Sequence, residues 1–340
     1  MPGSVTGPIA RATPGADPAP APVRGRAQDW MFAPAPASRL ALFRVITGLF
    51  ATVYLTIRVR AFAALADNDT SRFDPVGVLS WLDRPLTDGL WLAVLVATIA
   101  TGVAFTAGAV YRLSGPAFAV LLLVVTTYRS SWGQLLHFEN LLVLHVLIVG
   151  VARGADARSV DARIDGEAGS RAMTDESRYG WPLRLAATVT VLTYVLAGIA
   201  KLRYGGLGWV LGDSLRNHVA YSAVRLDLLG GTPSPFAEPL VGQASWIFPP
   251  VALITVLLEL GAPVALLGGR IRTAWVGTAW LLHAAVAAVM FVVFPYPLFL
   301  VAFAPLFELE RIEGWLDKFR RNRRSAAACK ALRARPPRRP

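Results

Sequence analysis

The chain has 340 residues, of which 54% are hydrophobic and only 16% charged, with a net charge of +12. Soluble domains carry roughly a quarter charged residues, so this composition excludes one. The absence of short alternating segments excludes a membrane β-barrel. What remains is an all-α fold, a polytopic membrane helical bundle of about eight transmembrane helices with interfacial helices.

Residues 1–36 are rich in Pro, Ala, Gly and Arg and lack an apolar run. They read as a disordered tail with no signal-peptide core. The membrane domain is expected over residues 37–310, followed by a basic tail over 311–340. The first span is read at residues 40–59, with Arg44 one turn in and able to snorkel to the interface. A polar connection follows; its VGVLSWL stretch is too short to cross and is expected at the interface. Further spans are read at residues 90–110, 116–128 and 135–151. After the charged loop 153–180 comes a fifth span at residues 183–202, ending on Lys201. The mixed segment 203–245 contains an amphipathic stretch. Spans six and seven are read at 247–267 and 273–294. Pro295 and Pro297 break the chain there, and an eighth, short span is read at 298–307.

Alternating the loops places most arginines near span ends on one side, together with both termini. By the positive-inside rule that side is cytoplasmic, and Lys201 falls at the outer end of its span. Nucleic-acid binding is disfavoured, because no aromatic-interleaved basic fold accompanies the charge. The single cysteine, Cys329, allows neither an intramolecular disulfide nor a cysteine metal cluster. Arginine and alanine usage points to a GC-rich bacterial genome, and so to a multi-pass protein of the inner cell membrane.

Ionisable residues inside spans are costly and mark candidate sites. Lys201 stands out because the other two lysines, Lys318 and Lys330, lie in the basic tail. On a helix it shares a face with Thr190, Tyr194, Ala197 and Gly198. An amine stripped of water in an apolar pocket is a general base; an amine at a helix end is equally a snorkelling lysine. His137 and Asn140 share a face and serve either as site residues or as interhelical glue. His145, deeper, reads as packing, and Glu139 points the opposite way, towards the interface. Glu259 near mid-span requires a partner or a proton. His283, alone on an apolar helix, reads as a core residue unless other histidines converge on it. Metal-ligand spacing is absent, as are phosphate-loop, dinucleotide and serine-elbow motifs.

The string AGIAKL at 197–202, followed by Trp209 and Gly212, resembles the lysine motif of vitamin K-dependent gamma-carboxylase and its bacterial relatives, the HTTM (horizontally transferred transmembrane) family. In order along the chain, SWGQLLHFEN (131–140), ARSVDAR (157–163), LLELGAP (257–263), the His283 helix and APLFE (304–308) resemble further family motifs. The resemblance covers most of residues 38–310. It implies a carboxylase-like enzyme acting at the outer leaflet, using a reduced quinone of the vitamin K or menaquinol type and no metal. A lysine deprotonates the hydroquinone, and the anion reacts with oxygen. The strong base so formed removes a proton from a glutamate side chain, which CO₂ then carboxylates. By resemblance Lys201 is the base, His137 assists and His283 is the late-helix histidine, giving the catalytic set. Asn140, Tyr194, Gly198 and Glu259 form the binding set. Membrane lipids, a quinol and a secreted peptide or small carboxylic acid are the expected partners. The large β-rich region of the carboxylase is missing, and the family's doubled lysine is Ala200-Lys201 here. The rival reading is a non-catalytic protein that binds or transports a lipid or quinone; transport would favour inverted repeats, and none is evident.

Overall fold

A computed structural model describes residues 25–134, 137–172 and 176–311, with the backbone alone over 167–172. Every regular element among the described residues is helical. Among the described residues, five helices are long and apolar enough to cross a membrane: α2 (Ala37–Ile57), α3 (Asp88–Ala107), α4 (Tyr111–Ser130), α6 (Ser177–Gly205) and α9 (Gly269–Met290). Two shorter apolar stretches, containing α5 (Asn140–Val151) and α8 (Phe248–Leu260), lie beside them. The short α1 (Arg26–Met31) precedes them, and α7 (Ser214–Leu228) lies between α6 and α8. The chain is therefore a multi-pass helical membrane protein.

Local chemistry explains the helix ends. Pro36, extended at φ −65°, starts α2. Gly108, left-handed at φ 66°, ends α3, its N–H capping Phe105 O. Only a glycine fits there, because a Cβ would strike the Arg44 guanidinium and Ser159. The third span is longer than expected, since Asp161 accepts hydrogen bonds from the N–H groups of Val110 (2.8 Å) and Tyr111 (2.7 Å) and so caps α4 well before Pro116.

Helices α2 to α5 and the first half of α6 surround one core that includes Phe43, Phe105, Phe118, Leu122 and Tyr128. A second cluster, Tyr194, Trp275, Ala279 and Phe303 among others, joins α6 to α9. Helices α4 and α5 meet at a pair of glycines. A Cβ on Gly115 would lie 2.5 Å from Gly150 O, and one on Gly150 would lie 2.7 Å from Gly115 O. Small residues at such crossings let backbones touch, as membrane helix pairs require.

Four expectations need correction. Arg44 does not snorkel; it is fully buried, donating to Gly154 O (3.0 Å) and Arg158 O (2.7 Å), because the loop after α5 folds over it. The tail does not stay unstructured to residue 36. Helix α1 packs on α6, with Arg184 donating to Ala33 O (2.6 Å) and the Ala35 N–H to Glu176 O (3.1 Å); residues 1–24 lie outside the described residues. The sixth span is α8 followed, after Gly261, by a 3₁₀ turn at Ala262–Leu267, since Pro263 lacks the N–H an α-helix needs. The eighth span is not an α-helix. Pro295–Leu298 makes one turn, Leu300 turns left-handed at φ 64°, and Val301–Leu306 is a 3₁₀ segment with Pro305 inside. It is nonetheless largely buried, and Thr190 donates to its Ala302 O at 3.0 Å.

Candidate functional site

The polar face of α6 is satisfied step by step along its length. Thr190 Oγ1 lies 3.1 Å from His145 Nε2, and His145 Nδ1 lies 2.7 Å from the Tyr296 hydroxyl. His145 is therefore a fully buried packing residue, as its position suggested. One turn on, the Tyr194 hydroxyl lies 2.7 Å from His283 Nε2. Tyr194 is itself wedged edge-on against Trp275, ring centroids 5.0 Å apart. At the next turn Gly198 admits α8: a Cβ there would lie 2.9 Å from Leu260 Cδ2 and 3.1 Å from Glu259 Cβ.

That close approach carries Glu259 to Lys201. Lys201 Nζ donates to both carboxylate oxygens, at 2.6 and 2.8 Å. Glu259 is 5% exposed, and the partner its carboxylate requires is the lysine. The ammonium also lies 5.5 Å from the centre of the Trp209 ring, a cation–π contact. Taking two charges out of water is costly unless geometry and extra donors compensate, and this pair has both oxygens engaged.

Lys201 lines a cavity of about 620 Å³ with Tyr204, Trp209, Asn217, His218 and Tyr221. His137 and Asn140 line a different cavity, of about 490 Å³, with Thr126, Thr127, Ser130 and Leu144. The catalytic set that the resemblance implies is thus not gathered in one cavity: Lys201 and His137 line different ones. The separation has a physical cause: His137 sits in a 3₁₀ turn ahead of α5, and Phe294 stands between it and His283, with ring centroids 5.9 Å and 5.3 Å away. His283 borders neither of these two cavities and serves as the partner of Tyr194.

Glu139 also departs from expectation. It is 2% exposed and accepts from Tyr54 and from Arg129 (2.5 Å), while Arg58 donates to the Tyr54 hydroxyl at 2.9 Å. The 3₁₀ turn at His137–Glu139 rotates its side chain inward, where a continuous helix would have sent it out. The serine-valine-aspartate loop has a structural role: Asp161 caps α4, and Ser159 accepts from the Ala162 N–H at 2.8 Å. His218 and Asn217 were missed in the sequence because segment 203–245 has no apolar context to make a polar residue conspicuous. The only available signal was the amphipathic spacing of α7.

The family model described as HTTM domain matches residues 32–310. No curated protein and no solved structure is a significant match.

Proposed function

The chain belongs to the HTTM family, and from that premise we propose that it is a carboxylase-like membrane enzyme in which Lys201 deprotonates a reduced quinone. The observation that carries this is the Lys201–Glu259 pair opening onto an aromatic-walled cavity. In this reading Lys201 passes its proton along the short contact to Glu259, presents a neutral amine, and takes a proton from a hydroxyl within reach. At the end Lys201 is again an ammonium, now facing the anion it formed, and Glu259 holds the proton. No net charge enters the membrane at any stage.

The cavity residues fit a flat hydroquinone. Tyr204, Trp209 and Tyr221 offer aromatic walls, and the buried Trp209 Nε1 has no partner among the described residues. We place the protein in the inner membrane of a bacterium with both termini cytoplasmic. Lys201 then works at the outer leaflet, on a secreted peptide or small carboxylic acid. The non-catalytic alternative, binding or transport of a lipid or quinone, is favoured by one observation: Tyr204 and Tyr221 at the cavity rim are 82% and 67% exposed, so a ligand could dwell there without reacting. Oxygen-dependent consumption of a reduced menaquinone by the protein in liposomes separates the two. Turnover by the wild type and none by Lys201→Ala supports the enzyme; equal rates in the two proteins sink it.

A further inference from the structure

The Lys201 cavity contains an imidazole, His218, that the proton transfer to Glu259 leaves unused. His218 lies on α7, where Ser214, Asn217, His218 and Tyr221 fall on one face by their three- and four-residue spacing and line the cavity together. Its ring centre is 5.4 Å from that of Trp209, the same indole that holds Lys201 Nζ at 5.5 Å. The amine and the imidazole thus share one aromatic wall. His145 and His283 each have a hydroxyl partner, whereas neither ring nitrogen of His218 has a hydrogen-bond partner among the described residues. His218 is also exposed to the cavity rather than packed away. Independently, the buried Trp209 Nε1 has no acceptor among the described residues. Buried donors are nearly always satisfied, so an acceptor belongs beside it.

We propose that His218 is a ligand-contacting residue that holds the second oxygen of a flat diol whose first hydroxyl faces Lys201. A hydroquinone carries its two oxygens on opposite edges of one ring. That suits an amine and an imidazole set against the same indole, at 5.5 Å and 5.4 Å from its ring centre, with the indole N–H as a further donor. The assignment rests on the proposed function for its ligand class, but binding tests it without any turnover. A site built to hydrogen-bond a hydroxyl rejects the analogue that lacks it.

The full-length protein in lipid nanodiscs, kept free of oxygen, should bind reduced 2-methyl-1,4-naphthoquinone more tightly than 1-naphthol, which has one hydroxyl. In His218→Ala the diol should weaken about tenfold while 1-naphthol binds as before, so the preference collapses. His218→Asn, which keeps a hydrogen-bonding group, should retain part of it. Retained 1-naphthol binding also certifies that the variant is folded; if His218→Ala fails to fold, the Asn variant must show a preference between those of no contact and wild type. An unchanged preference in both variants, or a wild type that does not favour the diol, overturns the proposal. If the preference depends on His218 while Lys201→Ala still consumes quinol, the base assignment fails and this one stands.

Discussion

Lys201 and Glu259 were each visible as single residues: a solitary membrane lysine and a glutamate in an apolar window. Their pairing was not visible, because it depends on how close α8 comes at Gly198. That contact sets the first expectation. Glu259→Gln removes the proton's destination and leaves Lys201 facing a neutral amide. Quinol turnover in liposomes should fall by about 10²-fold or more. The same change breaks a buried pair, so the thermal unfolding midpoint in detergent should drop as well, by an amount corresponding to about 3 kcal/mol. Turnover that survives in the Gln variant would remove Glu259 from the reaction. Glu139 shows why side-chain direction was less legible than identity. A continuous helix from residue 135 puts it on the outer face, whereas the turn at His137–Glu139 is 3₁₀, with three residues per turn.

At the scale of elements, hydropathy located all five long helices, because about twenty apolar residues have no other stable home in a bilayer. It overran at residues 261–267 and 298–307, where Pro263, Pro297 and Pro305 disallow a continuous α-helix though the composition stays apolar. Composition averages over a window; a missing N–H acts at one position. The Gly115–Gly150 crossing makes a direct prediction. Gly150→Val places a branched side chain against the Gly115 carbonyl, where even a Cβ would sit at 2.7 Å. Helices α4 and α5 must then part, costing about 1–3 kcal/mol. Thermal unfolding should show this loss with Gly150→Val and a smaller one with Gly150→Ala; a midpoint unchanged by valine would mean that the two backbones do not touch.

At the scale of the whole molecule, the two ends of the bundle meet. Arg39, in the first turn of α2, donates to Glu310 with Nε to Oε2 at 2.9 Å. The start and finish of the membrane domain therefore lie on the same face. Burial pushes the Glu310 carboxyl up, but the hydrogen bonds and charge of Arg39 outweigh it and hold it below the usual value of 4.5. A carboxyl held low stabilises the fold fully above its ordinary value and loses that contribution as pH falls through its lower folded one. Stability in detergent should thus decline on acidification below about pH 4.5, and Glu310→Gln should flatten that decline; identical acid profiles would show that the pair is not formed. Cys329 lies outside the described residues and reports the side. It should resist an impermeant thiol reagent in intact cells and react after permeabilisation, and labelling of intact cells would invert the topology.

The central claim is that Lys201 gives up a proton and takes another, and Lys201→Arg tests it most directly. The guanidinium keeps the charge and the partnership with Glu259 but cannot act as a base near neutral pH. In liposomes supplied with a reduced menaquinone, the arginine variant should fold, insert and turn over at least 10²-fold more slowly than the wild type. Full activity in that variant would contradict the base assignment and leave Lys201 as a structural cation at a helix end.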